Sequence, residues 1–371
     1  GAITDEAVVN LNDRSSLTLN SGTISDEATI NLKDASSMNI ENEGIVDASA
    51  IINIGNRATV NQNGGKMTLN NGDTYNGKLN MAGGELVIKD ISKSETGVFN
   101  QTGGTTTILD TKFAMNNEDD RVAGGTLNIG TIADPATFTV ARGTVYKDAS
   151  VNVEKGSTME ITGGNVILDG ATDDLKGSLT MSNGLLVLDS MTNKHAEGTF
   201  TQTGGTTLVK GNGFTMNNDN DVISGGVVGI GGDTAGSDLT MKKGTIKGTD
   251  TKIYIDNGSK LDVGGGYVTD GAQVVASDTS SVTVSGGIIN NDAKIYLTDN
   301  STLDVTDGDV ELSAYINLGE NATLNQSGGK VALSGTSDVV AGSINISGGD
   351  LSLTDVNKTT TDNVTYNQTG G

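Results

Sequence analysis

Two short acidic clusters contain the residue types in this sequence that most readily suggest chemistry. Residues 116–120 read NNEDD and residues 217–221 read NNDND. Their amide and carboxylate oxygens are the hard ligands that Ca²⁺ prefers, so Asp119, Asp120, Asp219 and Asp221 are calcium candidates. Neither cluster follows the spaced D-x-D-x-D-G pattern of a calcium loop, and the glycine-rich calcium repeat is absent. The sequence therefore favours solvated turns, with a weakly bound Ca²⁺ as the alternative and no other cofactor.

The other residues suited to catalysis are scattered along the chain. His195 is the only histidine, cysteine is absent, and the arginines Arg14, Arg57, Arg121 and Arg142 fall in different parts of the chain. A lone histidine supports neither a metal cluster nor a nucleophilic triad, so we interpret His195 as a solvated loop residue. The 46 acidic residues are numerous enough for a pair at glycosidase spacing to arise by chance. We assign no catalytic residue and expect no enzyme, with a polysaccharide-acting β-helix enzyme as an alternative.

A repeated unit supplies the elements that must position any site. GAITDEAVVNLNDRSSLTLNS from Gly1 resembles GTISDEATINLKDASSMNIEN from Gly22 and GIINNDAKIYLTDNSTLDVTD from Gly287. The apolar positions of the first unit are Ile3, Val9, Leu11, Leu17 and Leu19. Apolar residues two apart, separated by Asn, Thr or Ser, indicate short strands with one buried and one solvated face.

The first apolar position of the unit recurs along the whole chain. It can be followed through Ile3, Ile24, Val46, Met67, Leu86, Thr106, Leu127, Val145, Val166, Leu186, Thr207, Val228, Ile246, Val268, Ile289, Val310, Val331 and Leu351. Strands this short bury their apolar side only when the units stack. The pattern predicts an all-β fold, a single-stranded parallel β-solenoid (β-helix) with about 18 rungs of about 20–21 residues. It predicts one continuous domain over residues 1–371, with rungs starting near residues 1, 22, 44, 65, 84, 104, 125, 143, 164, 184, 205, 226, 244, 266, 287, 308, 329 and 349.

Glycine and methionine fit the corners and the interior of such coils. Pairs such as Gly103-Gly104 accept the positive φ of a tight corner, which accounts for 53 glycines in 371 residues. Met38, Met81 and Met181 lie at inward spacing, and with only 3% aromatic residues we expect an interior too narrow for rings.

Larger blocks repeat as well. FNQTGGTT from Phe99 returns as FTQTGGTT from Phe200, 101 residues later, and three related extended turns follow Leu86, Leu186 and Leu351. Pro135 marks a further insertion. Insertions in solenoids map to loops on one face, where binding sites are often built.

Charge and hydropathy exclude several kinds of partner. A net charge of −23 argues against nucleic acid, since phosphate binding depends on clustered Lys and Arg. No apolar run reaches the length of a membrane span, so we expect no membrane insertion.

The units GTISDEATINLKDASSMNIEN, TLNQSGGK, FNQTGGT and SINISGGDLSL resemble the passenger regions of bacterial autotransporters and filamentous-haemagglutinin-type adhesins. That resemblance implies a right-handed β-helix, export to the bacterial cell surface, and a role in adhesion, aggregation or matrix (biofilm) formation.

The leading hypothesis is therefore a non-catalytic, extracellular structural or adhesive rod on a bacterial surface. Its expected partners are carbohydrate or the surface of a host or neighbouring cell. The chain begins and ends at unit boundaries without polar capping units, which predicts a segment of a longer protein, or a filament subunit that self-associates. Such association would run end to end or side by side.

Overall fold

The computed structural model describes residues 1–191, 194–232, 236–311, 313–334, 338–354, 356–358 and 364–371. This part of the chain is all-β with no helix, and its parallel stacked coils form a β-solenoid of about 17 turns. It divides into two compact units, Gly1–Leu168 with Thr172–Thr180, and Asp169–Ala171 with Met181–Gly371. Over the described residues, no helix is long and apolar enough to cross a membrane.

The strands that begin in the first unit are two to five residues long. They are β1 (Ala2–Ile3), β2 (Val8–Leu11), β3 (Ser16–Leu19), β4 (Thr23–Ile24), β5 (Thr29–Leu32), β6 (Ser37–Ile40), β7 (Ile45–Val46), β8 (Ile51–Ile54), β9 (Thr59–Gln62), β10 (Lys66–Leu69), β11 (Thr74–Tyr75), β12 (Lys78–Met81), β13 (Glu85–Lys89), β14 (Val98–Gln101), β15 (Thr105–Leu109), β16 (Lys112–Met115), β17 (Arg121–Val122), β18 (Gly125–Ile129), β19 (Thr137–Val140), β20 (Thr144–Val145), β21 (Ala149–Val153), β22 (Thr158–Ile161), β23 (Asn165–Asp169), β24 (Asp174–Leu175) and β25 (Ser178–Met181).

The strands of the second unit have similar lengths. They are β26 (Leu185–Asp189), β27 (Thr199–Gln202), β28 (Thr206–Lys210), β29 (Phe214–Met216), β30 (Val222–Ile223), β31 (Gly226–Ile230), β32 (Asp238–Met241), β33 (Thr245–Lys247), β34 (Thr251–Ile255), β35 (Lys260–Val263), β36 (Tyr267–Thr269), β37 (Gln273–Ala276), β38 (Ser281–Val284), β39 (Ile288–Ile289), β40 (Lys294–Leu297), β41 (Thr302–Val305), β42 (Asp309–Val310), β43 (Tyr315–Leu318), β44 (Thr323–Gln326), β45 (Lys330–Ser334), β46 (Val339–Val340), β47 (Ser343–Ile346), β48 (Asp350–Thr354), β49 (Asn357–Lys358) and β50 (Thr365–Gln368).

In the first unit, parallel pairing between successive coils builds four sheets on three sides. Sheet 1 contains β1, β4, β7, β10, β13, β15, β18, β21 and β24; sheet 2 contains β2, β5, β8 and β11; sheet 3 contains β3, β6, β9, β12, β14, β17, β20 and β23; sheet 4 contains β16, β19, β22 and β25. Sheet 2 ends at β11 and sheet 4 begins at β16. The extended turn around Lys93 lies between those two strands in the chain, and Lys93 forms an isolated bridge with Tyr75.

In the second unit, three sheets form the three sides. Sheet 5 contains β26, β28, β31, β34, β37, β40, β43, β46 and β49; sheet 6 contains β27, β30, β33, β36, β39, β42, β45 and β48; sheet 7 contains β29, β32, β35, β38, β41, β44, β47 and β50.

Alternation within each strand places the core on the inside of the coils, as the sequence predicts. Ile30 and Met38 are fully buried, whereas the neighbouring Asn31 and Asn39 are partly exposed. Each fully buried aliphatic side chain contributes about 1.5–3 kcal/mol. Such side chains recur through both units, with a few buried polar ones, such as Gln62 and Thr106, among them. The dry interior is therefore the main source of stability.

The recurring first apolar position does not stay on one side of the coils, contrary to the expected constant register. Leu127 lies in sheet 1 and pairs with Val151, whereas Val145 lies in sheet 3 and pairs with Val122. A second shift occurs in the other unit, where Val228 pairs with Ile253 in sheet 5 but Ile246 lies in sheet 6. The rungs predicted to start at residues 143 and 164 are therefore displaced by one side. In the second unit, the rungs predicted from residue 244 onward are displaced by one side relative to the rung at residue 226.

The cause of the shift is that glycine is only one of two ways to turn a corner. Aspartate adopts the left-handed backbone at many other corners, as at Asp5 (φ 58°), Asp26 (φ 52°) and Asp292 (φ 60°). Asp and Asn tolerate this region better than most residues. The first apolar position of each unit is counted from the glycine before it. When the glycine lies at a different corner of the coil, that position therefore falls on a different side.

The expectation that rings do not fit the interior is wrong. The five phenylalanines Phe99, Phe113, Phe138, Phe200 and Phe214 are all buried, together with Tyr75. Phe99 packs edge-on against Phe113 with ring centroids 5.6 Å apart, and Phe200 and Phe214 do so at 5.3 Å. These rings lie beside the extended turns, where one coil departs from the regular three-strand path.

Candidate functional site

The extended turn between β13 and β14 carries a lysine into the interior. Lys93 is bridged to Tyr75 through its backbone, so its side chain enters the core instead of pointing to water. Lysine is almost never fully buried without a partner. Here the side chain of Lys93 has no exposed surface, and neither has that of Asp120.

Besides the carbonyl of Ser94 at 3.4 Å, three closer oxygens surround the amine of Lys93. Its Nζ lies 2.9 Å from Asp120 Oδ2, and donates to Asn116 Oδ1 at 2.5 Å and to the carbonyl of Gly97 at 2.8 Å. Asn116 and Asp120 belong to the next coil, more than twenty residues along the chain. The contact therefore joins two successive coils through side chains.

Backbone amides hold Asp120 in place. Its Oδ1 accepts the N–H of Phe99 at 2.7 Å, and its Oδ2 accepts the N–H of Asn117 at 2.9 Å. A carboxylate that accepts two N–H groups and an amine is well compensated for burial.

The second unit contains the same arrangement at residues 101 positions later. Lys194 Nζ lies 2.9 Å from Asp221 Oδ2 and donates to Asn217 Oδ1 at 2.6 Å. Asp221 accepts the N–H of Phe200 at 2.8 Å. The ring pair Phe200 and Phe214 occupies the positions that correspond to Phe99 and Phe113. We call these two clusters the lysine–asparagine–aspartate sites.

Burial lowers the pKa of Lys93 below its ordinary value, although the charge and hydrogen bond of Asp120 oppose that shift. Burial likewise lowers the pKa of Lys194 against the opposing effect of Asp221. Both amines are thus easier to deprotonate than an exposed lysine.

Three further aspartates use the same backbone contact. Asp73, Asp173 and Asp338 accept the N–H of Ile52, Val151 and Ile316 at 2.6, 2.6 and 2.7 Å. Each of these amides lies one coil earlier. Burial raises the pKa of Asp73 to about 6, against the lowering effect of its two backbone hydrogen bonds. A buried aspartate at a corner is therefore a recurrent hydrogen-bonded link between successive coils.

The calcium candidates separate into buried and exposed residues. Asp119 and Asp219 are exposed, and Asp219 pairs with Lys243 at 3.0 Å. Asp120 and Asp221 have no exposed side-chain surface, so the interpretation of these two as solvated residues is wrong. The described residues include no group of three His, Cys, Asp or Glu side chains that could hold a metal ion. Calcium binding stays a prediction.

The other candidates from the sequence lie on the surface. His195 is exposed in the turn next to the buried Lys194, as expected for a loop residue. Arg14, Arg57, Arg121 and Arg142 are all exposed as well.

Outward asparagines form ladders on the sheets. In sheet 2, Asn31 donates to Asn10 at 2.9 Å and Asn53 donates to Asn31 at 2.8 Å. In sheet 3 the ladder runs from Asn39 through Asn61 and Asn80 to Asn100, and in sheet 7 it runs from Asp304 through Asn325 and Asn345 to Asn367. The polar faces are thus hydrogen-bonded along the stack.

One open groove lies beside a further ladder step in the first unit. It has a volume of about 540 Å³, and its lining includes Asn128, Ile132, Asn152 and Glu154. Asn152 donates to Asn128 at 2.9 Å, and Ile132 is 79% exposed in the turn that precedes Pro135. The groove offers amide, carboxylate and apolar surface together.

The buried sites were missed because charged residues in turns are usually solvated. One signal was available: the lysine, both phenylalanines, the asparagine pair and the aspartate all return at the same offset of 101. No protein-family model, no curated protein and no solved structure matches this chain.

Proposed function

We propose that the protein is a non-catalytic structural and adhesive segment of a bacterial cell-surface protein that acts outside the cell. The observation that carries this proposal is the use of the outward side chains. They bond to one another along the sheets, as Asn31 does to Asn10 and Asn53. Side chains that bond to one another in this way form a regular polar surface. Such a surface suits a segment that holds other parts of a protein away from the cell and contacts other molecules.

The charge of the molecule supports the same function. The net charge is −23, and acidic corner residues such as Asp5, Asp26 and Asp34 are exposed at the surface. Like charge keeps molecules apart in solution and on a cell surface. The amines of Lys93 and Lys194 are buried and paired with Asp120 and Asp221 within the chain.

Adhesion needs a contact site, and the groove at Asn128 and Asn152 is our candidate for carbohydrate. Sugar hydroxyls pair with amide and carboxylate groups, and the apolar face of a sugar packs on a side chain such as Ile132. All three residue types line this groove.

Cell labelling tests the location and role. Antibody raised against the purified protein should label intact cells of the source bacterium, and deletion of the gene should reduce cell aggregation or attachment. Labelling only after permeabilisation would contradict the proposal, as would release of new reducing ends from a panel of polysaccharides.

Glycan-array binding tests the groove. Binding by the unaltered protein should be lost in the Asn128→Ala, Asn152→Ala double variant. It should persist in Asn31→Ala, Asn53→Ala, which removes an equivalent ladder step outside the groove. Equal loss in both variants, or no binding to any glycan, would remove the groove from the proposal.

A further inference from the structure

We propose that Lys93 is joined to Asn116, and Lys194 to Asn217, by intramolecular isopeptide bonds that form without another enzyme. The inference rests on the lysine–asparagine–aspartate sites and does not depend on the proposed function.

The first step of the argument is proximity. Lys93 Nζ lies 2.5 Å from Asn116 Oδ1 and Lys194 Nζ lies 2.6 Å from Asn217 Oδ1. A carbonyl oxygen is about 1.2 Å from its carbon, so each amine is within about 3.8 Å of the amide carbon it would attack. Reacting atoms held about 3–3.5 Å apart correspond to very high effective concentrations. Only a small movement separates the observed contact from attack.

The second step is activation of the amine. Only the neutral amine is a nucleophile, and a lysine in apolar surroundings gives up its proton more easily. Both lysine side chains are buried. The aspartate paired with each accepts the backbone N–H of Phe99 or Phe200, whose buried ring packs against Phe113 or Phe214. Transfer of a proton from the amine to the adjacent aspartate turns a buried ion pair into two neutral groups, which relieves the cost of burying both charges.

The third step assigns the proton carrier. Asp120 Oδ2 and Asp221 Oδ2 each lie 2.9 Å from the amine. Backbone N–H groups fix both carboxylates, as the hydrogen bond from Phe99 to Asp120 shows. Neither carboxylate has exposed surface, so water does not compete for the proton.

The reaction then balances without an oxidant or cofactor. The aspartate takes a proton from the lysine ammonium, and the neutral Nζ forms a bond to Cγ of the asparagine. In the tetrahedral adduct, which carries an oxyanion on Cγ, the aspartic acid gives its proton to Nδ2, and the resulting carboxylate takes the remaining extra proton from Nζ. The oxyanion then re-forms the carbonyl, and the aspartic acid stays protonated. The Cγ–Nδ2 bond breaks, one molecule of ammonia leaves, and a secondary amide remains.

Duplication provides an independent argument for this chemistry. The two sites share Lys, Asn and Asp at identical spacing, whereas intervening residues differ, as in KSETGVF against KHAEGTF. The geometry of Nζ to the amide and to the carboxylate also matches within about 0.1 Å in the two sites. Each bond would link a turn of one coil to a strand end of the next coil.

Intact-mass spectrometry of the purified full chain tests the proposal directly. After prolonged incubation at neutral pH, the mass should fall below the sequence mass by two molecules of ammonia. Protease digestion should then yield branched peptides that join Lys93 to Asn116 and Lys194 to Asn217. A folded protein with the full sequence mass and separate linear peptides overturns the proposal.

Single-site variants give matched controls, because the other site remains as an internal reference. Asn116→Ala and Asp120→Asn should each reduce the loss to one ammonia, retained at Lys194. Asn117→Ala should keep both bonds, because the Asn117 side chain bonds to the Glu95 carbonyl and not to Lys93. Loss of water instead of ammonia would make an aspartate the partner and would overturn the assignment to asparagine.

Discussion

Asp120 Oδ1 accepts the backbone N–H of Phe99 at 2.7 Å, although the two residues are 21 positions apart in the chain. A side chain of one coil thus satisfies a backbone N–H of the coil before it. The same carboxylate also binds the buried amine of Lys93. Four further carboxylates among the described residues repeat the backbone contact, which makes it a general means of linking coils at corners.

Asp120→Ala should be strongly destabilising. It leaves a buried lysine and two backbone amides without their acceptor, at an expected cost of about 3–5 kcal/mol. Asp219→Ala is the matched control, since it removes an exposed partner of Lys243 and should cost less than about 1 kcal/mol. Urea unfolding of both variants measures the difference, and equal losses would contradict the linking role.

Asp73 should make stability fall as the pH rises from about 4 to about 7. Its pKa is raised from 3.8 to about 6 in the folded chain, so folding favours the protonated form. The contribution is fully present below the unfolded pKa of 3.8 and is lost as the pH passes through about 6, with an upper size of about 3 kcal/mol.

The measurement for Asp73 is the unfolding free energy of the natural chain minus that of Asp73→Asn across this pH range. The asparagine variant does not titrate, so other carboxylates cancel in the difference. A flat difference from pH 4 to pH 7 would show that burial does not shift this group.

Ile30→Asp and Asn31→Asp should separate the two faces of one strand. Ile30 is fully buried, and a charge there has no partner, so we expect a loss of several kcal/mol or failure to fold. Asn31 donates to Asn10 and accepts from Asn53, so aspartate loses only the donor at about 0.5–1.5 kcal/mol. Thermal unfolding of the pair checks the assignment, and similar midpoints would refute it.

Gly104→Ala should be costly, whereas Gly258→Asn should be tolerated. Both glycines have positive φ, of 68° and 67°. A Cβ at Gly104 would lie 2.5 Å from Met81 Cε and 2.8 Å from backbone, whereas at Gly258 its nearest neighbour is Thr279 Oγ1 at 3.7 Å. Asparagine accepts this backbone region, so the change at Gly258 should cost about 1 kcal/mol or less. Circular dichroism melting curves distinguish the two, and equal shifts would argue against crowding at Gly104.

The interior was predictable because alternation is a local property. Residues such as Ile24, Ile30 and Met38 reveal their inward direction through spacing alone, and all three are fully buried. Which side of the coil a strand occupies was less predictable, because aspartate and glycine both adopt the left-handed backbone of a corner. The shift between Leu127 and Val145 follows from that equivalence.

The lysine–asparagine–aspartate sites could not be read from local sequence. Lys93 and Asp120 are 27 positions apart, and each lies in a polar stretch that suggests solvent. Their burial depends on which coil lies above which, and that depends on the length of the extended turn. The buried rings were missed for a related reason, since Phe99 and Phe113 pack beside that turn.

The asparagine ladders have a consequence for the order in which coils are added. In every amide-to-amide step among the described residues, the later residue donates to the earlier one, as Asn53 does to Asn31 and Asn345 does to Asn325. The dipoles therefore point the same way, and each bond polarises the next. A newly synthesised coil meets free acceptors on the coil that precedes it, so growth toward the carboxyl terminus is templated. A coil added with its amides reversed would oppose acceptor to acceptor, which gives the ladder a defined direction.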